Sequence, residues 1–234
     1  MRDITVVHIE DEESVHELLR DKLTGTEIKI LAQTTTGEEG LRQIQSSRPT
    51  VAIIDIRLGD QNNDRMNGHR VLREVKRLEL PTHVLIHTNE GYYELVPDVL
   101  DQLLADGARG ILFKHARSIE LLQAIRTVAQ GILYTPPSYS KRLGESELKR
   151  IDWDSISAMM KHCGAYLPLD LTNKEIAQAL QERGMASIQD THVRDHLSNL
   201  YRILGTDRRT RAALIIHSLQ HIGEWERPDP PSAH

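Results

Sequence analysis

The first 134 or so positions alternate between two hydrophobic periods. Ile4 to Ile9 is a short apolar run of the kind a buried strand needs, and Ser14-Val15-His16-Glu17 then carries a capping-box pattern that opens a helix, with Gly25 past its end. Glu27 to Ala32 predicts a second strand, and Thr36-Gly37-Glu38-Glu39 predicts a second helix continued by Leu41 and Ile44. The pattern repeats three more times: Val51–Ile54 before a helix over His69–Leu78, Val84–Ile86 before a helix carrying Val99, Leu100, Leu103 and Leu104, and Gly110–Phe113 before a helix started by Ser118. Five strand-then-helix units predict an α/β fold, a doubly wound parallel sheet with helices on both faces. Functional groups in such a sheet belong at the carboxyl ends of the strands.

Beyond residue 134 the period-2 segments stop. Pro136-Pro137, Ser138, Ser140 and a mixed-charge stretch mark residues 135–150 as a linker. Residues 151–222 follow a helical pattern only, a small all-α domain. Leu171-Thr172-Asn173-Lys174-Glu175 opens one helix through a Thr172–Glu175 capping box, and Gly184 marks its end. Ser187-Ile188-Gln189-Asp190 signals the next helix start, with Val193, Leu197, Leu200, Tyr201 and Leu204 at helical spacing before Gly205. A last helix runs over Arg209–Leu219, and the proline-rich end at 223–234 predicts a flexible tail.

The 234 residues suffice for two small domains. A net charge of −5 gives no global basic field, so a nucleic-acid surface has to be local. Cys163 is the single cysteine and reads as a small core residue. The N-terminus lacks a signal-peptide pattern, and no run reaches the roughly 18 apolar residues of a membrane helix. The expectation is a cytoplasmic protein with no membrane partner.

The residues that end the strands carry the chemistry. Strand one runs into Glu10-Asp11, strand three into Asp55, strand four into Thr88 and strand five into Lys114. With strand order 2-1-3-4-5, three carboxylates, a hydroxyl and an ammonium converge on one edge. Clustered carboxylates repel unless a cation joins them. Hard oxygen donors suit Mg²⁺, which takes part of its shell from phosphate. A carboxylate beside that ion can attack phosphorus, and such transfer is catalysed mainly by positioning and charge neutralisation.

Those residues, with Asp55 set in Ile53-Ile54-Asp55-Ile56-Arg57, resemble the receiver domain of two-component response regulators over residues 1–134. The resemblance implies that Asp55 is the phosphoacceptor, phosphorylated by a histidine kinase. It also implies that Glu10, Asp11, Asp55 and the backbone carbonyl of Arg57 hold Mg²⁺, and that Thr88 and Lys114 sense the phosphate. Three features depart from the family's pattern. Ile111 stands where many receivers carry an aromatic switch residue, His115 follows the lysine, and the stretches Gly59–Gly68 and Thr88–Lys114 are longer than usual.

In the second domain, two helices joined by a turn read as a helix-turn-helix. Between residues 188 and 211 five arginines face three aspartates, a modest basic excess. Asn173-Lys174-Glu175-Ile176-Ala177, Val193-Arg194-Asp195-His196-Leu197-Ser198-Asn199 and Leu204-Gly205 with Arg209 and Ala212 resemble the LuxR/GerE helix-turn-helix. The whole chain is thus similar to NarL/FixJ-type regulators. The resemblance implies that Arg194, Asp195 and Ser198 face DNA bases, and Lys174, Arg208 and Arg209 are candidates for phosphate contacts. About six extra residues lie between the two helices, within Gln181–Gln189, and the usual preceding helix is poorly kept in Asp152–Leu167.

The expected function is a phosphorylation-controlled, double-stranded-DNA-binding transcription regulator acting as a homodimer on a two-fold operator. One rival keeps the switch but gives the helical domain a protein partner in place of DNA; the balance of 13 basic and 13 acidic residues over 141–234 speaks for it. A second rival, a Mg²⁺-dependent phosphohydrolase, wants an acid two residues after Asp55, where Arg57 stands. The chain is therefore read as a regulator and not an enzyme.

Overall fold

In the computed structural model, all five strands form and lie parallel in the order β2-β1-β3-β4-β5: β1 Ile4–Ile9, β2 Ile28–Thr34, β3 Val51–Asp55, β4 His83–Thr88 and β5 Ala108–Phe113. The structure describes residues 3–58, 66–89 and 97–228. Residues 59–65 of the long Gly59–Gly68 loop and residues 90–96 of the Thr88–Lys114 stretch lie outside the described residues. The chain divides into two compact units, Met1–Thr135 and Pro136–His234.

In the first unit the crossover helices are α1 Glu13–Leu23, α2 Gly37–Ser47, α3 Gly68–Arg77 and α4 Pro97–Ala105, with α5 Ser118–Ala129 closing the series. The central β3 is buried along its whole length, as a parallel strand covered on both faces must be, which is why Val51–Ile54 shows no polar alternation. Thr36 caps α2 as its position predicts, accepting from the Glu39 N–H. Ser14 does not cap α1. The N-cap is Glu12, two residues earlier, because the chain turns into the helix directly after Asp11.

The helix α3 is anchored beside the end of β3. A Cβ on Gly68 would stand 2.1 Å from the carbonyl oxygen of Asp55, so only glycine allows the helix to start there. The Asn67 side chain caps it, accepting from the Arg70 N–H at 3.1 Å.

The second unit is helical: α6 Pro137–Leu148, α7 Ala158–Ala165, α8 Asn173–Glu182, α9 Asp190–Ile203 and α10 Arg209–His221, with short 3₁₀ turns at Trp153–Ser155 and Leu167–Leu169. Two sequence expectations are corrected here. The 135–150 segment is not a linker but mostly the helix α6. Pro137 sits in its first turn, where a missing N–H costs nothing. Gly144, inside the segment expected to be a linker, lets α6 approach α10 closely; a Cβ there would lie 2.7 Å from the Ser218 carbonyl oxygen. The tail also begins later than residue 223. Trp225 is buried and donates its indole N–H to the Lys161 carbonyl at 3.1 Å, and Gln220 Nε2 donates to the Glu226 carbonyl at 2.7 Å.

The core of this unit runs from Cys163 and Tyr166 through Ile176, Leu180, Val193 and Leu200 to Ile216 and Leu219. Cys163 is fully buried, as expected of a core thiol, and burial pushes its pKa up to about 11.

Candidate phosphoacceptor site and helix-turn-helix

The carboxyl edge of the sheet gathers the predicted groups. Glu10 directly follows β1, and its amide donates to the Thr34 carbonyl at 3.0 Å, tying it to the end of β2. Asp55 closes β3 in register with His87 of β4. Thr88 closes β4, and its carbonyl accepts the Lys114 amide at 2.8 Å, which holds the lysine backbone against the neighbouring strand. The strand ends are neighbours because the sheet order makes them so.

Lys114 is the hub. Its ammonium donates to Glu10 Oε1 at 3.0 Å and lies 2.8 Å from Oε2, and it donates to Asp55 Oδ2 at 2.9 Å. Asp55 Oδ1 accepts the Arg57 amide at 3.0 Å. Glu10 is completely buried, while Asp55 and Lys114 keep a narrow opening to solvent. Burial pushes the Glu10 carboxyl up to about 7, against the lowering hydrogen bond from Lys114 and with the Asp55 charge adding to the rise. Burial opposes the Lys114 charge, but its hydrogen bonds to Glu10 and Asp55 outweigh this and raise its pKa. One oxygen each from Glu10, Asp11 and Asp55 lie within 4.8 Å of one another, a spacing a single cation can bridge.

Thr88 is fully buried, and among the described residues its hydroxyl has no hydrogen-bond partner. Such a group normally has one. Ile111, at the position of the aromatic switch, is buried in β5. Phe113 stacks instead on His115, with ring centroids 5.6 Å apart. The structure therefore brings Glu10, Asp11, Asp55 and Lys114 together, with Thr88 at the adjoining strand end. What the sequence reading missed is a group of buried histidines alongside, His8, His16 and His87. The available signal was polar residues inside otherwise apolar strands, Val7-His8-Ile9 and Ile86-His87-Thr88.

In the second unit α8 and α9 form the helix pair. Their connection, residues 183–189, is braced from both ends: Gly184 takes a left-handed φ of 93°, and Gln181 Nε2 spans the turn to donate to the Ile188 carbonyl at 2.6 Å. Buried Ile188 pins the turn to the core. The Thr172–Glu175 capping box predicted for α8 is present. The α9 helix begins at Asp190 with Gln189 as cap, not at Ser187.

Lys174, Arg194, Asp195, Ser198 and Arg208 are all exposed. Ser198 donates its hydroxyl to the Arg194 carbonyl at 2.8 Å. Arg209 is different. Its guanidinium donates to Asn173 Oδ1 at 3.1 Å and to the Leu171 carbonyl, so it clamps the start of α8 to α10 and is not the free phosphate contact its sequence position suggested. Arg209→Ala is expected to lower the stability of the chain by about 1–2 kcal/mol, the scale of two charged hydrogen bonds discounted for partial exposure. Chemical denaturation monitored by tryptophan fluorescence measures it, since Trp153 and Trp225 both lie in this unit.

The chain belongs to the response regulator receiver domain family, which it matches over residues 6–126. Similarity to curated relatives runs on through the helical unit. The chain is 27% identical to the DNA-binding transcriptional activator DevR/DosR of Mycobacterium tuberculosis, over 93% of this chain and 95% of that one. It is 27% identical to the transcriptional regulatory protein UhpA of Escherichia coli, over 90% of this chain and 96% of that one. It is a NarL/FixJ-type response regulator. Among solved structures, the RcsB response regulator of Salmonella typhimurium shares the fold across 95% of this chain and 99% of its own, with TM-score 0.52 at 18% identity. No helix among the described residues is long and apolar enough to cross a membrane.

Proposed function

We propose that this response regulator accepts a phosphoryl group on Asp55 from a histidine kinase and that the modified state controls sequence-specific DNA binding by the helical unit, and with it transcription. The observation that carries the reading is the Lys114 ammonium held on Asp55 Oδ2 and both Glu10 oxygens, with Thr88 at the adjoining strand end carrying a buried hydroxyl that has no partner among the described residues. A phosphoryl oxygen would satisfy that hydroxyl, and Lys114 would meet the new charge as a point cation. Asp55 Oδ1, held by the Arg57 amide, keeps the carboxylate fixed in orientation.

Three carboxylates with ligand atoms within 4.8 Å are a hard oxygen set that fits Mg²⁺. Glu10, Asp11, Asp55 and the Arg57 carbonyl would hold the ion, and it would neutralise charge on the phosphoryl oxygens. Glu10 titrates near 7, so it must lose a proton to ligate. The sign follows: Mg²⁺ affinity is full above about pH 7 and falls below it, by up to about tenfold per unit, whereas carboxyls at ordinary values near 4 would keep it. Calorimetric titrations between about pH 8 and pH 6 measure that slope.

In the helical unit, Arg194, Asp195 and Ser198 on the exposed face of α9 are the base-facing candidates, with Lys174 and Arg208 beside them for phosphate. A homodimer would present two such helices to a two-fold site. Arg57 occupies the position where a phosphohydrolase would need an acid, which favours a regulator over an enzyme. The test is selection of DNA sequences by the full chain activated with beryllofluoride. An enriched two-fold motif is expected; no enrichment would leave a protein-binding output for the helical unit. Within that motif Arg194→Ala should cost about 1–3 kcal/mol at one base pair, read by anisotropy on single-base variants. A loss uniform across sequences would make Arg194 a phosphate contact.

A further inference from the structure

Three histidines lie packed together at the carboxylate edge of the sheet. His8 on β1 stands two residues before Glu10, His87 on β4 precedes Thr88, and His16 comes from α1. All three are buried. His8 Nδ1 is 2.9 Å from His16 Nδ1, with the two rings nearly perpendicular at 85°, and the His8 and His87 ring centroids are 6.0 Å apart. The second nitrogen of His8, Nε2, has no hydrogen-bond partner among the described residues, and neither do His87 Nδ1 and His16 Nε2; only the first two belong to residues that converge on Glu10. Buried polar atoms normally have a partner, so the unpaired nitrogens of His8 and His87 side by side call for a ligand.

One atom each from His8, Glu10 and His87 lie within 4.8 Å of one another. Two imidazoles and a carboxylate are not a Mg²⁺ set, which is all oxygen. They are the donor set of a borderline transition ion such as Zn²⁺. We propose that His8, His87 and Glu10 form a second metal site, for a divalent transition ion of the Zn²⁺ class, sharing Glu10 with the acid cluster.

His16 supplies the supporting contact. For Nε2 of His8 to carry the lone pair, its proton must sit on Nδ1, and there it is donated to His16 Nδ1. This is the outer hydrogen bond that orients metal-bound histidines. The site depends on the histidines and not on phosphotransfer, so it stands or falls separately from the phosphoacceptor reading. Because Glu10 serves both clusters, the transition ion and Mg²⁺ should compete.

The experiment titrates the full, chelator-stripped chain with Zn²⁺ and with Co²⁺ in the absence of Mg²⁺. One tight equivalent is expected, with two imidazole ligands by X-ray absorption and the intense visible bands of low-coordinate Co²⁺. Asp11→Asn, which weakens only the acid cluster, should leave that equivalent in place. His16→Leu should weaken it by about 10–100-fold, the usual loss for an outer-shell partner, and His87→Leu more still. Histidine ¹⁵N spectra of the unaltered chain, needing no variant to fold, should shift first at His8 Nε2 and His87 Nδ1. An all-oxygen first equivalent overturns the proposal. So does unchanged affinity in His87→Leu, or first shifts at an exposed histidine such as His192.

Discussion

Asp55→Asn is expected to take up no phosphoryl mass from acetyl phosphate, under conditions where the unaltered chain gains one. The reason is local. Asp55 is the carboxylate pinned between the Arg57 amide and the Lys114 ammonium, with only a narrow opening to solvent. An amide in its place has no nucleophilic oxygen of comparable strength. The downstream effect is larger than the chemical one. A phosphoryl group brings a charge of about −1.5 to −2 into the edge of the sheet. Only a state that accommodates that charge better can gain population from it. Operator affinity of the unaltered chain should therefore rise on beryllofluoride treatment by roughly 5–150-fold, the ordinary range of coupling between sites. In Asp55→Asn the two affinities should coincide. Intact mass spectrometry and fluorescence anisotropy on the selected operator measure the two halves, and a mass gain in Asp55→Asn would move the phosphoacceptor elsewhere.

Lys114→Met is expected to destabilise the metal-free chain more than any other single change at the site. Removing the ammonium leaves Glu10 and Asp55 buried together without a counter-charge. Breaking a buried pair in this way costs about 3–5 kcal/mol. Glu10, with a pKa of about 7, escapes part of that by taking a proton, so a loss nearer about 2–4 kcal/mol is expected near neutral pH. The informative comparison is with Mg²⁺. In the unaltered chain a bound ion would share the Glu10 and Asp55 oxygens with Lys114, so Mg²⁺ should add only modest stability. In Lys114→Met the ion replaces the missing cation and should recover most of the loss. Thermal unfolding with and without Mg²⁺ checks this; equal stabilisation of both proteins would mean that the ion binds away from Glu10 and Asp55.

The parallel sheet and the carboxylate edge were legible because both depend on short-range pattern. A strand buried on both faces is mostly apolar, and polar chemistry becomes affordable where it ends, so Asp55 and Thr88 at the ends of β3 and β4 and Glu10 and Lys114 just past β1 and β5 announce themselves by position. What was not legible depends on packing between elements distant in sequence. Pro137 and Gly144 read as linker residues, and only α10, more than sixty residues on, makes a helix of that segment worthwhile. Trp225 sits in a stretch whose charge and prolines suggest a tail, yet its partner is Lys161. Arg209 reads as a cation free to find phosphate, while the Leu171 carbonyl that occupies it is 38 positions earlier. The histidines were overlooked for the converse reason. Each is a single polar interruption in an apolar strand or helix, and their meaning appears only when β1, β4 and α1 meet.

The chain's single sulfhydryl has a practical consequence. Cys163 is sealed in the helical unit, and with its pKa near 11 almost none of it is thiolate at neutral pH. An alkylating reagent can reach it only when that unit opens, so the rate of labelling acts as a built-in clock for opening events. The same inertness lets a spectroscopic probe be placed on any exposed position of α9 without first engineering the native sulfur away.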